Sequence, residues 1–341
     1  MTSAIGIALV FSVSALVCAG VILLLRPLWK HYALAKPNAR SSHTTPTPQG
    51  GGIAVVAATG AIGASAMVLM PGLDGSVTQF AWVCGPVVFL AIVGAIDDVH
   101  TLEAVPRLVL QTLAVAVVVM ALPSDLRVVD TLPWWLERSL LIVGGVWFVN
   151  LVNFMDGIDW MTVAEVAPVT AGLALFGLMG ALPPDATVVA VALCGAVIGF
   201  APFNRPVARL FLGDVGSLPI GLLLSWLLVM LAGGGHLAAA LLLPLYYTAD
   251  ATITLLRRLA NGEQVLQAHR SHFYQRAMDR GLSVRQIVGR VFGVNVLLIG
   301  LAAITLVDKS LWLQGLALVA GGALVAVLLW DLGRVRRSID I

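Results

Sequence analysis

The stretch Asn150-Leu151-Val152-Asn153-Phe154-Met155-Asp156-Gly157-Ile158-Asp159 lies between two apolar runs, residues 134–153 and 160–181, each long enough to cross a bilayer. Two amides and two carboxylates leave the end of one apolar segment together. Ionisable groups at a membrane boundary are costly, so this cluster marks a functional site and the runs around it mark a membrane protein.

The rest of the chain agrees. Hydrophobic residues make up 59% of the 341 and charged residues 11%, with a mean hydropathy of +0.97. No soluble domain of this size needs so much apolar surface, and a β-barrel would show alternating strands of about ten residues. No long polar insert interrupts the runs, so residues 1–341 read as one integral-membrane domain, an all-α polytopic bundle. Eleven runs suffice to span about 30 Å of hydrocarbon: approximately 4–25, 51–71, 79–96, 106–123, 134–153, 160–181, 186–203, 216–233, 236–256, 287–307 and 311–331. Cys18, Cys84 and Cys194 fall inside runs without paired spacing, as packing residues do rather than a disulfide or metal set. The first run lacks a basic stretch before it and a small-residue cleavage pattern after it, which predicts a retained helix.

Loop charge predicts the orientation. On one side lie Arg26, Lys30, Lys36, Arg40, Arg107, Arg205, Arg209, Arg257, Arg258, Arg270, Arg276, Arg280, Arg285, Arg290, Arg334, Arg336 and Arg337, 17 of the 20 basic residues. Only Arg127, Arg138 and Lys309 fall on the other. The basic side is expected to be cytoplasmic, with the N-terminus outside and the C-terminus inside.

Six segments toward that side carry the chemistry. The loop ending R-S-S-H-T-T-P-T-P-Q-G-G-G at residue 52 is either a flexible basic loop beside anionic lipid or, through its backbone N–H groups with Arg40 and His43, an anion receiver. Asp97 and Asp98 are adjacent, as suits a general base or a magnesium site, or else a solvated helix end. His100 and Arg107 nearby suit a phosphate or the headgroups. In a helix, Asn150, Asn153 and Asp156 fall along one face, whereas Asp159 fits a cap for the next helix. Hard oxygen ligands without cysteine favour magnesium or manganese over zinc. Asp214 sits between Gly213 and Gly216, with Phe211 placed to stack on a base or to anchor at the interface. Asp250 is either a buried partner for Arg257 or Arg258 or a catalytic group. His269, Arg270, His272 and Arg276 form a cationic cluster, and guanidinium forks suit a diphosphate. Carboxylates for a divalent metal beside a cationic clamp are what phosphoryl transfer requires. No G-x-x-x-x-G-K-[ST] loop is present, which counts against an ATP-driven motor.

D-D-V-H at 97–100, N-L-V-N-F-M-D-G-I-D at 150–159, F-L-G-D-V-G-S at 211–217 and H-R-S-H-F-Y-Q-R at 269–276, in this order between such helices, resemble the polyprenyl-phosphate N-acetylhexosamine-1-phosphate transferases, glycosyltransferase family 4. The resemblance covers nearly the whole chain. It implies transfer of an N-acetylhexosamine 1-phosphate from a UDP-amino-sugar to undecaprenyl phosphate, with release of UMP. It also implies magnesium (or manganese), a bacterial inner-membrane location, no nucleic-acid partner, and a homodimer as one known assembly. By motif, Asn153 and Asp214 would hold the metal, with Asn150 in support. Asp97 or Asp98 would accept or orient the acceptor proton, and Asp156 would serve the nucleotide or metal site. Phe211 would lie near uracil, while His269, Arg270, His272 and Arg276 would hold the diphosphate.

H-R-S-H stands where the translocase of peptidoglycan carries three adjacent histidines, which disfavours a MurNAc-pentapeptide donor and brings the chain closer to the O-antigen-initiating branch. Trp160 stands where D-G-I-D-G has its second glycine. The competing class is a multi-helix transporter, whose polar residues would line a path at mid-membrane.

Overall fold

A computed structural model describes residues 4–32, 34–35, 46–70, 72–73, 77–264 and 269–334. Lys36, Arg40, His43, Arg336 and Arg337 lie outside the described residues. The helices are α1 (Ala4–Tyr32), α2 (Gly51–Leu69), α3 (Val77–Val99), α4 (Ala104–Met120), α5 (Trp134–Met155), α6 (Met161–Leu178), α7 (Pro184–Phe200), α8 (Asp214–Gly233), α9 (Leu237–Leu242), α10 (Leu245–Ala260), α11 (Phe273–Asp279), α12 (Val284–Val307) and α13 (Leu311–Gly333). One antiparallel pair, β1 (Leu34–Ala35) with β2 (Thr47–Pro48), is the sole sheet among the described residues.

Eight of these helices are long and apolar enough to cross a membrane, and α4 and α7 are apolar but 17 residues each. The protein is therefore an all-α polytopic membrane protein. Outer helices such as α1 turn Ile5, Leu16 and Leu24 outward, a surface that suits lipid rather than water. The run expected as one helix over 236–256 is two, α9 and α10. Pro244 caps α10 and has no N–H to continue α9, so the chain breaks there.

The centre is α8, whose most apolar stretch is 89% buried. A helix apolar on every face belongs inside a bundle, and α2, α3, α5 and α9 surround this one. Close approach relies on absent side chains. A Cβ on Gly52 would stand 2.2 Å from the Gly216 Cα, and one on Gly94 would stand 2.2 Å from the Asp214 carbonyl oxygen. The Gly51 and Gly52 N–H groups donate to the Phe211 and Leu212 carbonyls, both at 2.9 Å. Two of the N–H groups expected to face an anion are thus committed to holding the segment that leads into α8.

Candidate active site

The C-terminal ends of α3 and α5 meet the N-terminal end of α8, and three of the sequence motifs meet with them. Asp98 accepts the Asp214 N–H at 2.8 Å and the Val215 N–H at 3.2 Å. A carboxylate there satisfies orphan donors and complements the helix dipole. Gly213, at φ 75°, leaves no room for a side chain, since a Cβ would lie 2.5 Å from Asp98 Oδ2. Asp97 points elsewhere. It accepts the Leu102 N–H at 2.6 Å and Arg107 Nη1 at 2.7 Å, and the same Nη1 lies 3.7 Å from Asp214 Oδ2. On the other side of Asp214, Asn153 Nδ2 donates to Oδ1 at 2.8 Å and to Ser217 Oγ at 2.9 Å. One guanidinium and one amide therefore bracket the Asp214 carboxylate.

Asn150, one turn back on α5, faces a different neighbour. Its amide donates to Gln111 Oε1 of α4 at 2.6 Å and to the Val146 carbonyl. Asp156 follows the last residue of α5, half-buried, and accepts the Thr162 hydroxyl. Burial pushes its carboxyl up to about 7, the nearby negative charges of Asp98 and Asp159 add to this, and the Thr162 hydrogen bond opposes it. Asp159 accepts the Ala208 N–H at 2.9 Å, and the α6 cap position belongs to Trp160. The expected capping role of Asp159 is thus replaced by a tether to the chain ahead of α8.

The His/Arg segment joins this region through Tyr274, whose hydroxyl donates to the Phe154 carbonyl at 3.1 Å. Gly157 permits the contact, because a Cβ there would lie 2.1 Å from the Tyr274 oxygen. His272 is buried, and its Nδ1 shares a hydrogen bond with Asp250 Oδ1 at 3.1 Å. Asp250 also accepts the Phe273 N–H and the Tyr246 and Thr254 hydroxyls. Its partner is His272, whereas Arg258 pairs with Glu263 and Arg257 donates to the Ser271 carbonyl. The His269 ring stacks on His272 with centroids 4.9 Å apart. Burial, followed by the His272 and Arg258 charges, pushes His269 down to about 4, so it is neutral at pH 7. Arg270 lies 3.0 Å from Asp279, and Arg276 lies over the Phe273 ring. Phe211 is half-buried and anchored by its backbone, its N–H donating to the Pro48 carbonyl at 2.9 Å.

Among the described residues, no three His, Cys, Asp or Glu side chains form a metal cage. Asp214 and Asn153 still suit a divalent ion of the magnesium type, which keeps most of its waters and takes one or two protein oxygens beside substrate phosphate. The Asp214 side chain is partly exposed, and the Asn153 amide reaches it directly. Two contributors carried no strong signal in the sequence: Thr162 and Gln111. Only their place against the motif residues reveals them.

The glycosyl transferase family 4 model matches residues 80–232. A probable undecaprenyl-phosphate N-acetylglucosaminyl 1-phosphate transferase of Bacillus subtilis is 26% identical over 322 residues, 86% of this chain and 84% of that protein. A decaprenyl-phosphate N-acetylglucosaminephosphotransferase of Mycobacterium tuberculosis is 30% identical over 342 residues, 87% and 82% of the two chains. A phospho-N-acetylmuramoyl-pentapeptide-transferase of Synechococcus sp. is 33% identical over 176 residues, 49% of each. Such relatives do not favour the transporter alternative.

Proposed function

The chain belongs to glycosyl transferase family 4, and on that premise we propose that it transfers an N-acetylhexosamine 1-phosphate from a UDP-sugar to undecaprenyl phosphate. The products are undecaprenyl-diphospho-sugar and UMP. A bond forms between an acceptor phosphate oxygen and the sugar-bearing phosphorus, and the bond from that phosphorus to the UMP oxygen breaks. The observation that carries the reading is the Asp97–Arg107–Asp214–Asn153 network, which brings motifs from α3, α5 and α8 to one point.

Magnesium, or manganese as the other ion suited to these oxygens, would be held by Asp214 and Asn153 and neutralise the diphosphate. Asp156, poised near neutral pH, accepts the acceptor proton at its carboxylate. Asp97 aims Arg107 at the reacting phosphates, and Asp98 fixes the start of α8. Asn150 ties α5 to α4 through Gln111 behind the site. Phe211 stacks on the uracil, while Arg270 and Arg276 supply the positive charge that receives the diphosphate and the imidazoles of His269 and His272 line the same segment. The extended match to N-acetylglucosamine-type relatives, against a half-length match to a muramoyl-type one, supports an N-acetylglucosamine-like donor. The reaction would take place at the cytoplasmic face of a bacterial inner membrane and begin a cell-envelope polysaccharide such as O-antigen.

The test incubates the purified protein with undecaprenyl phosphate, magnesium and a panel of UDP-sugars. UMP and a lipid-linked sugar are expected with at least one N-acetylhexosamine donor. Folded protein that releases no UMP with any donor refutes the proposal.

A further inference from the structure

Trp160 is the one non-glycine residue at positive φ among the described residues, at φ 62°, ψ 0°. That region is disfavoured for an L-residue, and a bulky side chain there is an outlier. Such a conformation persists only where its surroundings over-determine it.

The surroundings of Trp160 do so with hydrogen bonds. Its indole Nε1–H donates to the Ala201 carbonyl at 2.7 Å and its backbone N–H donates to Asn204 Oδ1 at 2.7 Å. Asn204, buried, passes the contact on by donating from Nδ2 to the Leu210 carbonyl at 3.1 Å. Next door, Asp159 accepts the Ala208 N–H. The D-G-I-D turn is therefore stapled at Ala201, Asn204 and Ala208 to the segment 201–210, which runs straight into Phe211, Gly213 and Asp214. Anchoring in the apolar core alone would not require the left-handed backbone. That geometry sends the main-chain N–H to Asn204 while the ring reaches Ala201.

We propose that Trp160 is a positioning residue that fixes segment 201–210, and through it Phe211, against the D-G-I-D turn, so that it governs nucleotide affinity rather than the chemical step. The proposal rests on the transferase reading for the identity of the ligand. Its test is separate, because UMP binding needs no turnover. Full-length wild type, Trp160→Gly, Trp160→Phe and Asn204→Ala are titrated with UMP and magnesium by calorimetry, and donor and acceptor KM are then measured. Trp160→Gly, which relieves the backbone strain and removes the indole bond to Ala201 while keeping the main-chain N–H to Asn204, is expected to weaken UMP and raise donor KM by about tenfold, as for a misplaced base–aromatic stack. Acceptor KM and kcat should stay within about twofold. Trp160→Phe, which cuts the bond to Ala201, and Asn204→Ala, which cuts those to Trp160 and Leu210, should weaken UMP in the same direction, and they carry the test if the glycine variant does not fold. UMP affinity equal to wild type in the folded variants overturns the proposal, as does an equal loss in donor KM, acceptor KM and kcat. Wild type that binds UMP but transfers no sugar sinks the transferase reading, while the variants' UMP affinities still decide the role of Trp160. Wild type that does not bind UMP overturns both.

Discussion

Asp156 is the residue whose protonation is set for neutral pH. Its carboxyl is pushed up to about 7 by burial first and by the Asp98 and Asp159 charges second. Between about pH 4 and 7 the folded state binds this proton and the unfolded state does not, so the group lowers stability as pH rises through that window. As a general base it works only when deprotonated, so kcat/KM should rise with pH and level off above about 7. Asp156→Asn is expected to lose ~10²–10⁴-fold in rate and to flatten the matching slope in thermal stability between pH 5 and 8. A wild-type rate profile that is level from pH 5.5 to 8, or a variant that keeps its slope, would rule this assignment out. The sequence presents Asn150, Asn153 and Asp156 as one helical row. Helical spacing says which residues share a face but not which neighbour covers it, and α5 in fact meets α4 at Asn150 and α8 at Asn153.

At the scale of elements, the site depends on how closely α3 lies against α8. Gly94 and Asp98 share a face one turn apart, and that face receives the first turn of α8: the Asp214 carbonyl against Gly94, and the Asp214 and Val215 N–H groups on Asp98. Gly94→Ala would place a Cβ 2.2 Å from that carbonyl, and an overpacked helix contact typically costs about 1–3 kcal/mol. Loss of UMP release and a lower unfolding temperature are expected. Gly85→Ala, on the same helix with nothing within 4 Å, serves as the control and should leave both unchanged. If Gly94→Ala retains wild-type turnover, the α3–α8 contact does not set the site. Helix positions were legible in the chain because apolar runs and breaker residues are local signals. The close contacts were not, because a glycine in a run reads the same whether it lies exposed, as Gly85 does, or against a neighbouring backbone.

At the scale of the whole molecule, loop charge predicts the arrangement across the membrane. The three basic residues off the cytoplasmic side by the loop count are Arg127, Arg138 and Lys309. Two of these are bound into local structure: Arg127 pairs with Glu137 at 2.5 Å, and Arg138 donates to the Pro123 and Leu126 carbonyls. The 17-to-3 split of Lys and Arg between the two sides sets the expected orientation. The prediction is that the α10–α11 segment faces the cytoplasm and the α12–α13 turn faces outward. Asn261 and Lys309 are exposed in these two places. In intact cells, a membrane-impermeant maleimide should label Lys309→Cys directly and Asn261→Cys only after lysis. The native thiols give little background once Cys84, half-buried on α3, is replaced by serine, since Cys18 and Cys194 are buried. The reverse pattern would place the site outside, away from any cytoplasmic supply of nucleotide-sugar, and would remove the orientation on which the proposed reaction depends.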